Sequence, residues 1–413
     1  ARLSMVYLGT PSPVYCPWCV ARHREYARSW WTSCPTFARP NDLGCDNDMA
    51  LRIAGIGTAV PKYSISQADA AEASKWFCYA ADERLRLIPV LYRRSGVSRR
   101  HSVLLEAPDG DPFERQSFYS KVTDENDGGP TTLDRMSIYE HEAPPLALDA
   151  ARQAVADADV DPTSITHIVT VSCTGFHAPG IDALLIEDLG LRRTVERTHV
   201  GFMGCHGALN GIRVASSFGQ ENPNTRTLIC AVELCTLHFY YGWDAEKIVA
   251  NSLFADGAAA VVGIGGKPSS GASDWIATGS GTLLIPGSKE AMTWRVGNHG
   301  FHMTLSPQVP QLIRENVRDW LVKWLREHSL SIEDVATWAV HPGGPRILNA
   351  FEEAIGLDKG AMDISREILA QFGNMSSATL LFILQRLRHR RAPRPCVAVG
   401  FGPGMVVETL LLR

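Results

Sequence analysis

No stretch of this 413-residue chain approaches the roughly 20 consecutive apolar residues a membrane span requires, so no transmembrane helix is expected. Excess charge is also missing: 40 Lys and Arg stand against 44 Asp and Glu, a net charge of −4. Neither a nucleic-acid partner nor an anionic membrane surface is therefore expected. The opening ARLSMVYLGTPSP lacks a basic segment followed by a long apolar one, so it does not read as a secretory signal. Ten cysteines in a chain this long are too few for a disulfide scaffold. A cytoplasmic protein with mostly buried free thiols is expected. Cys16-Pro-Trp-Cys19 has no second CxxC after it and no βαβ pattern around it. Neither a zinc knuckle nor a thioredoxin-like site is expected there, and no metal ligand set is assigned.

Residues 1–48 hold Cys16, Cys19, Cys34, Cys45 and three tryptophans with no sustained period. They read as a poorly ordered extension, and Met49 directly precedes ALRIAGIGTAVP, which holds the first strand-like run, LRIAGIGTAV. From there strands and helices alternate. Residues 145–159 carry apolar positions at helical spacing, 166–173 read as a strand, and 180–190 as a helix ending in glycine. A strand over 199–205 leads into a helix over 206–218, and TRTLICAVEL and AAAVVGIGG read as further strands. The second part repeats the theme, with a long helix at 307–328, a strand at 336–344, helices at 345–356 and 373–390, and two strands around a Gly-Pro-Gly turn at 396–412. Alternation of this kind predicts an α/β layered fold. Two halves are expected, 49–268 and 269–413.

Three motifs place a reactive residue type where a strand gives way to a helix: GCHGA around Cys205, VHPGGPRIL around His341 and FGNMSSAT around Asn374. Ligands in α/β sheets favour that edge. The glycines beside them, Gly343 and Gly344 included, let backbone and substrate approach closely. A helix N-terminus and a nearby imidazolium would both favour a thiolate at Cys205. His341 could supply that cation and then a hydrogen bond to an enolate or oxyanion, with Asn374 donating to the same oxygen. A Cys–His–Asn set suits covalent acyl catalysis combined with decarboxylation. Spacing alone leaves a papain-like protease open, although that family places its cysteine near the mature N-terminus in a CGSCW-like context.

HPGGPRIL (341–348), GNMSSAT (373–379), GFGPGMVVETLLL (400–412), NSLFADGAAA (251–260) and SCTGFHAPGID (172–182) together resemble the type III polyketide synthases, the chalcone synthase-like group of the thiolase superfamily. The resemblance runs from about Met49 to Arg413, and GCHGALNG is similar to bacterial members. It implies a thiolase-like five-layer αβαβα sandwich made of two duplicated halves. It also implies a homodimer acting on free coenzyme A thioesters, malonyl-CoA and an acyl-CoA, with no cofactor. Cys205 would be the acylated nucleophile, and His341 and Asn374 would stabilise the malonyl-derived enolate. Phe254 and Phe301 would stand between the coenzyme A tunnel and the cavity, and Arg94 would meet the coenzyme A phosphates.

Cys173, Cys235 and His238 would line the cavity, replacing hydroxyl residues of the plant enzymes. Ala178 replaces a methionine that reaches into the partner's cavity, and Arg346 replaces a small residue beside the tunnel. Small side chains at 173 and 178 would leave room for a long acyl starter, so an alkylpyrone or alkylresorcinol is expected rather than a chalcone. The alternatives are a ketoacyl synthase III-like enzyme performing one condensation, and an inactive thiolase-fold interaction protein.

Overall fold

The computed structural model describes residues 51–266 and 275–413. The extension 1–48, its Cys16 and Cys19, and the expected boundary at 268 and 269 lie outside the described residues. The strands are β1 (Leu51–Ala59), β2 (Ser64–Ser66), β3 (Arg99–His101), β4 (His167–Ser172), β5 (Glu196–Gly201), β6 (Arg226–Leu234) and β7 (Asp256–Ile264). They continue with β8 (Trp275–Leu284), β9 (Met292–Gly297), β10 (Gly300–Leu305), β11 (Thr337–Val340), β12 (Cys396–Gly402) and β13 (Val406–Leu412). Nine of them join in the order β11-β12-β13-β8-β1-β7-β6-β4-β5.

That order contains the duplication. Reading outward from the middle, β1-β7-β6-β4 repeats as β8-β13-β12-β11. In each set the first three strands pair antiparallel, and the fourth lies parallel to the third. The halves meet where β1 and β8 pair antiparallel over Leu51–Ile53. The first half carries one extra parallel edge strand, β5.

Apolar runs buried on both faces explain the layering. Along β4, Ile168 faces a core with Leu146 and Ala150 of the helix Thr132–Ala158, while the next residue, Val169, faces the centre. Along β12, Val397 and Val399 face the helices Val309–Glu327 and Pro345–Ile355, while Cys396 and Ala398 face the centre. The central core holds Ile212 and Ala215 of the helix Gly207–Glu221, and Leu381 and Leu384 of the helix Ser377–His389. Three cores separated by two sheet halves make five layers, as expected. The outer helix Thr132–Ala158 approaches β1 so closely that a Cβ on Gly57 would lie 2.1 Å from the Ala150 carbonyl oxygen.

Three departures stand out. The helix expected over 145–159 begins at Thr132, behind a capping box made by Thr131 and Asp134, and runs through Pro144 and Pro145. The strand expected over 199–205 stops at Gly201, because Phe202 and Gly204 take positive φ values of 58° and 68°. The hairpin β9–β10, a separate two-stranded sheet, has no forerunner in the periodicity. The arginines of RLRHRR at 386–391 close the helix Ser377–His389, and three of them are paired: Arg386 and Arg390 with Glu367, and Arg388 with Asp157. Among the described residues no helix is long and apolar enough to cross a membrane.

Candidate active site

Cys205 occupies the 3-10 turn Gly204–His206, which leads directly into the helix Gly207–Glu221. The turn requires glycine at 204: its φ is positive, and a Cβ would sit 2.5 Å from the Pro403 ring. Asn374 is held by its backbone, donating to the Leu253 carbonyl (2.8 Å) and accepting from the Ala255 N–H (2.9 Å). Its side-chain Oδ1 accepts from the Ser376 N–H (2.9 Å), which leaves the amide nitrogen for the thiol. The side chains of Ser376 and Asn374 both favour the anion of the Cys205 thiol. His341 follows β11, donates its N–H to the Val399 carbonyl (2.8 Å), and is 1 % exposed. Neither of its ring nitrogens is hydrogen-bonded.

Burial opposes the expected ion pair. Burial pushes the Cys205 thiol up to about 12, against the opposing pull of Ser376 and Asn374, and Glu233 adds to the rise. Burial, then the neighbouring His206, takes His341 down to about 3. Desolvation penalises both ions and works against a resting thiolate–imidazolium pair. His206 is buried as well; its Nδ1 bonds Asn210 Oδ1 at 2.7 Å and its Nε2 is unpartnered.

Cys173, Cys205, Cys235 and Phe254 line one void of about 20 Å³. His238 and Phe301 line a second of about 20 Å³, which shares Cys235, Phe254, Trp294 and Met303 with the first. His238 is a wall, not a donor to substrate. Its Nδ1 accepts from the Phe301 N–H (3.0 Å), so Nε2 carries the proton and donates to the Thr174 carbonyl (2.7 Å). Its ring stacks on Phe301 at 4.2 Å. Arg94, Gly343 and Gly344 line a different cavity, of about 350 Å³, together with Arg346. The wall between that cavity and the Cys205 void is built at Leu253 and Phe254, which line one each. Ala178 is exposed and does not line the void, so room gained there does not extend it within one chain.

Sequence reasoning missed Glu233, Trp294, Met303 and Ser376. Glu233 accepts from the Cys173 N–H (3.0 Å), the Thr174 hydroxyl (2.7 Å) and the Ser377 hydroxyl. A lone carboxylate in the apolar run LICAVEL was its signal. Trp294 and Met303, cross-strand partners on the hairpin, offered none. No group of three or more possible metal ligands occurs among the described residues.

Residues 44–268 match the N-terminal domain of the chalcone and stilbene synthases, and residues 278–413 match their C-terminal domain. This chain belongs to the chalcone and stilbene synthase family, the type III polyketide synthases. Like other type III polyketide synthases it is an acyltransferase that joins units by decarboxylative condensation. The alpha-pyrone synthesis polyketide synthase-like Pks18 of Mycobacterium tuberculosis is 31% identical over 369 residues, covering 87% of this chain and 90% of the relative. The 1,3,6,8-tetrahydroxynaphthalene synthase of Streptomyces peucetius is 32% identical, covering 89% of this chain and 94% of its own. Among solved structures, PKS-I of the brown alga Ectocarpus siliculosus superposes with a TM-score of 0.79 at 31% identity, covering 88% of this chain and 98% of that one. The type III synthase domain of Steely1 from Dictyostelium also gives 0.79, at 26% identity, covering 88% of this chain and 99% of that domain.

Proposed function

We propose that Cys205 carries the acyl chain, that His341 and Asn374 run the malonyl chemistry, and that the product closes to an alkylpyrone or alkylresorcinol ring. The observation that carries this is the buried Cys205 thiol, which lines a small apolar void and whose anion Ser376 and Asn374 favour. Because burial opposes both ions, the proton leaves Sγ for His341 as the carbon–sulfur bond forms. Coenzyme A departs as the thiolate and takes that proton. Malonyl-CoA then loses CO₂, and N–H groups of His341 and Asn374 hold the enolate oxygen. The enolate carbon attacks the Cys205 thioester, a carbon–carbon bond forms, and the Cys205 thiolate is expelled. No metal or redox cofactor enters these steps.

Coenzyme A thioesters would arrive through the 350 Å³ cavity, where Arg94 and Arg346 offer cations to phosphate. Phe254 would then separate that cavity from the thiol. The apolar void and the alpha-pyrone relative favour an aliphatic starter. A homodimer is supported by β5, an uncovered sheet edge, and by exposed Phe176, Phe202 and Met203 nearby. The free thiols among the described residues suit the cytoplasm.

The test is incubation with malonyl-CoA and a panel of acyl-CoA starters, with products identified by mass. Pyrones or resorcinols carrying the starter's alkyl chain are expected. A single β-ketoacyl product from every starter would favour the ketoacyl synthase III-like reading.

A further inference from the structure

The void lined by the active-site thiol and the one that shares a wall with it are each about 20 Å³. A pocket for a small molecule needs roughly 300 Å³. Something between the voids must therefore yield as a chain grows on Cys205. Four residues line both: Cys235, Phe254, Trp294 and Met303. Cys235 is too small to block the way. Phe254 is held at the mouth by the bridge between its backbone and Asn374. Met303 is unbranched and rotates aside easily.

Trp294 is different. Its Nε1–H donates to the Cys173 carbonyl at 2.7 Å. Its ring meets His238 edge-on at 5.5 Å and Phe301 edge-on at 5.9 Å. Those two rings are themselves fixed, stacked on each other and bonded through the Phe301 N–H. A large, flat side chain pinned at three points is the partition that stays in place.

The chamber behind it differs chemically from the one holding the thiol. Tyr240, Lys247 and His302 line it. The Lys247 ammonium lies 4.0 Å over the Tyr240 ring and 3.7 Å from Asp244. Such donors suit the carbonyl oxygens of a poly-β-ketone better than an alkyl tail.

We propose that Trp294 is the residue that sets how many malonyl units are added, by closing the polar chamber to the growing chain. This rests on Cys205 carrying that chain. When Trp294 stays, the intermediate is confined to the first void, widened only as far as Met303 turns aside, and cyclises early; when it is removed, the chain advances into the second chamber and extends further.

The experiment uses the full chain, hexanoyl-CoA as starter and malonyl-CoA, and compares wild type with Trp294→Ala by product mass and by intact-protein mass. The ratio of longer to shorter products should rise about tenfold or more, the scale of one small group in a shaped pocket. Trp294→Phe loses the hydrogen bond but keeps a ring, and should stay close to the wild-type ratio. Trp294→Leu repeats the test if the alanine variant does not fold. An unchanged ratio in a folded, active alanine or leucine variant overturns the proposal. So does a phenylalanine variant that shifts as far as alanine, because bulk would then not be the cause. Failure of wild-type Cys205 to take up any acyl group would instead defeat the reading of the thiol, and the mass of the intact protein separates the two.

Discussion

The Ser376 hydroxyl lies 3.1 Å from the sulfur of Cys173 and also favours the anion of Cys205, so one side chain acts on two thiols. The thiols are not equivalent. Burial, then the Glu233 carboxylate 3.4 Å from Cys173 Sγ, holds the Cys173 pKa well above the usual thiol range. Asn374 instead favours the anion at Cys205. Only Cys205 should be acylated. Cys205→Ala should abolish the acyl adduct seen by intact mass, and Cys173→Ala should retain it. The reverse pattern would exchange their roles.

The burial of Cys205 and His341 has a signature in pH. With the thiol near 12, the thiolate fraction grows about tenfold per pH unit, and alkylation by iodoacetamide should climb steadily from pH 6 to pH 9. A preformed thiolate–imidazolium pair would give a plateau across that range. Alkylation of the free enzyme, followed by mass at each pH, distinguishes the two. A plateau starting near pH 6 would restore the ion pair.

His341→Gln and Asn374→Asp should each slow malonyl-CoA decarboxylation about 100- to 1,000-fold, the effect of losing one donor to a developing oxyanion. Release of CO₂ from malonyl-CoA measures this without any starter. Wild-type rates in both variants would remove these residues from the reaction.

Gly57→Ala should destabilise the fold by about 1–3 kcal/mol, because the new methyl meets the carbonyl of Ala150 with nowhere to go. Gly343→Ala meets only Ile347 at 3.4 Å, an ordinary contact, and should leave the melting temperature unchanged. Thermal unfolding of the two variants side by side checks the contrast. Equal losses would mean that β1 does not lie as close to its outer helix as described.

Much of the fold was legible because its signals are local. Runs such as CVAVGFG and RTLICAVEL announce strands buried on both faces, and the small residues after Cys205 and Asn374 announce helix starts. The helix over 145–159 was legible only in part, since Pro144 and Pro145 resemble a beginning and lie inside it. The hairpin β9–β10 was not legible, because Trp294, Val296, Phe301 and Met303 alternate too briefly to stand out.

The identity of the reacting groups was determined by the sequence itself: Cys205, His341 and Asn374 each sit in a short motif whose chemistry is carried by residue type. Their protonation was decided only by the tertiary structure. Desolvation depends on what surrounds a group on every side, and residues far apart in the chain close over the thiol and imidazole. The same is true of cavity size. Cys173 and Ala178 counted from the sequence as space, yet Trp294, more than a hundred residues away, fills the region beside Cys173 from another element. Which side chains share a void is a property of packing between distant segments, and no local pattern carries it.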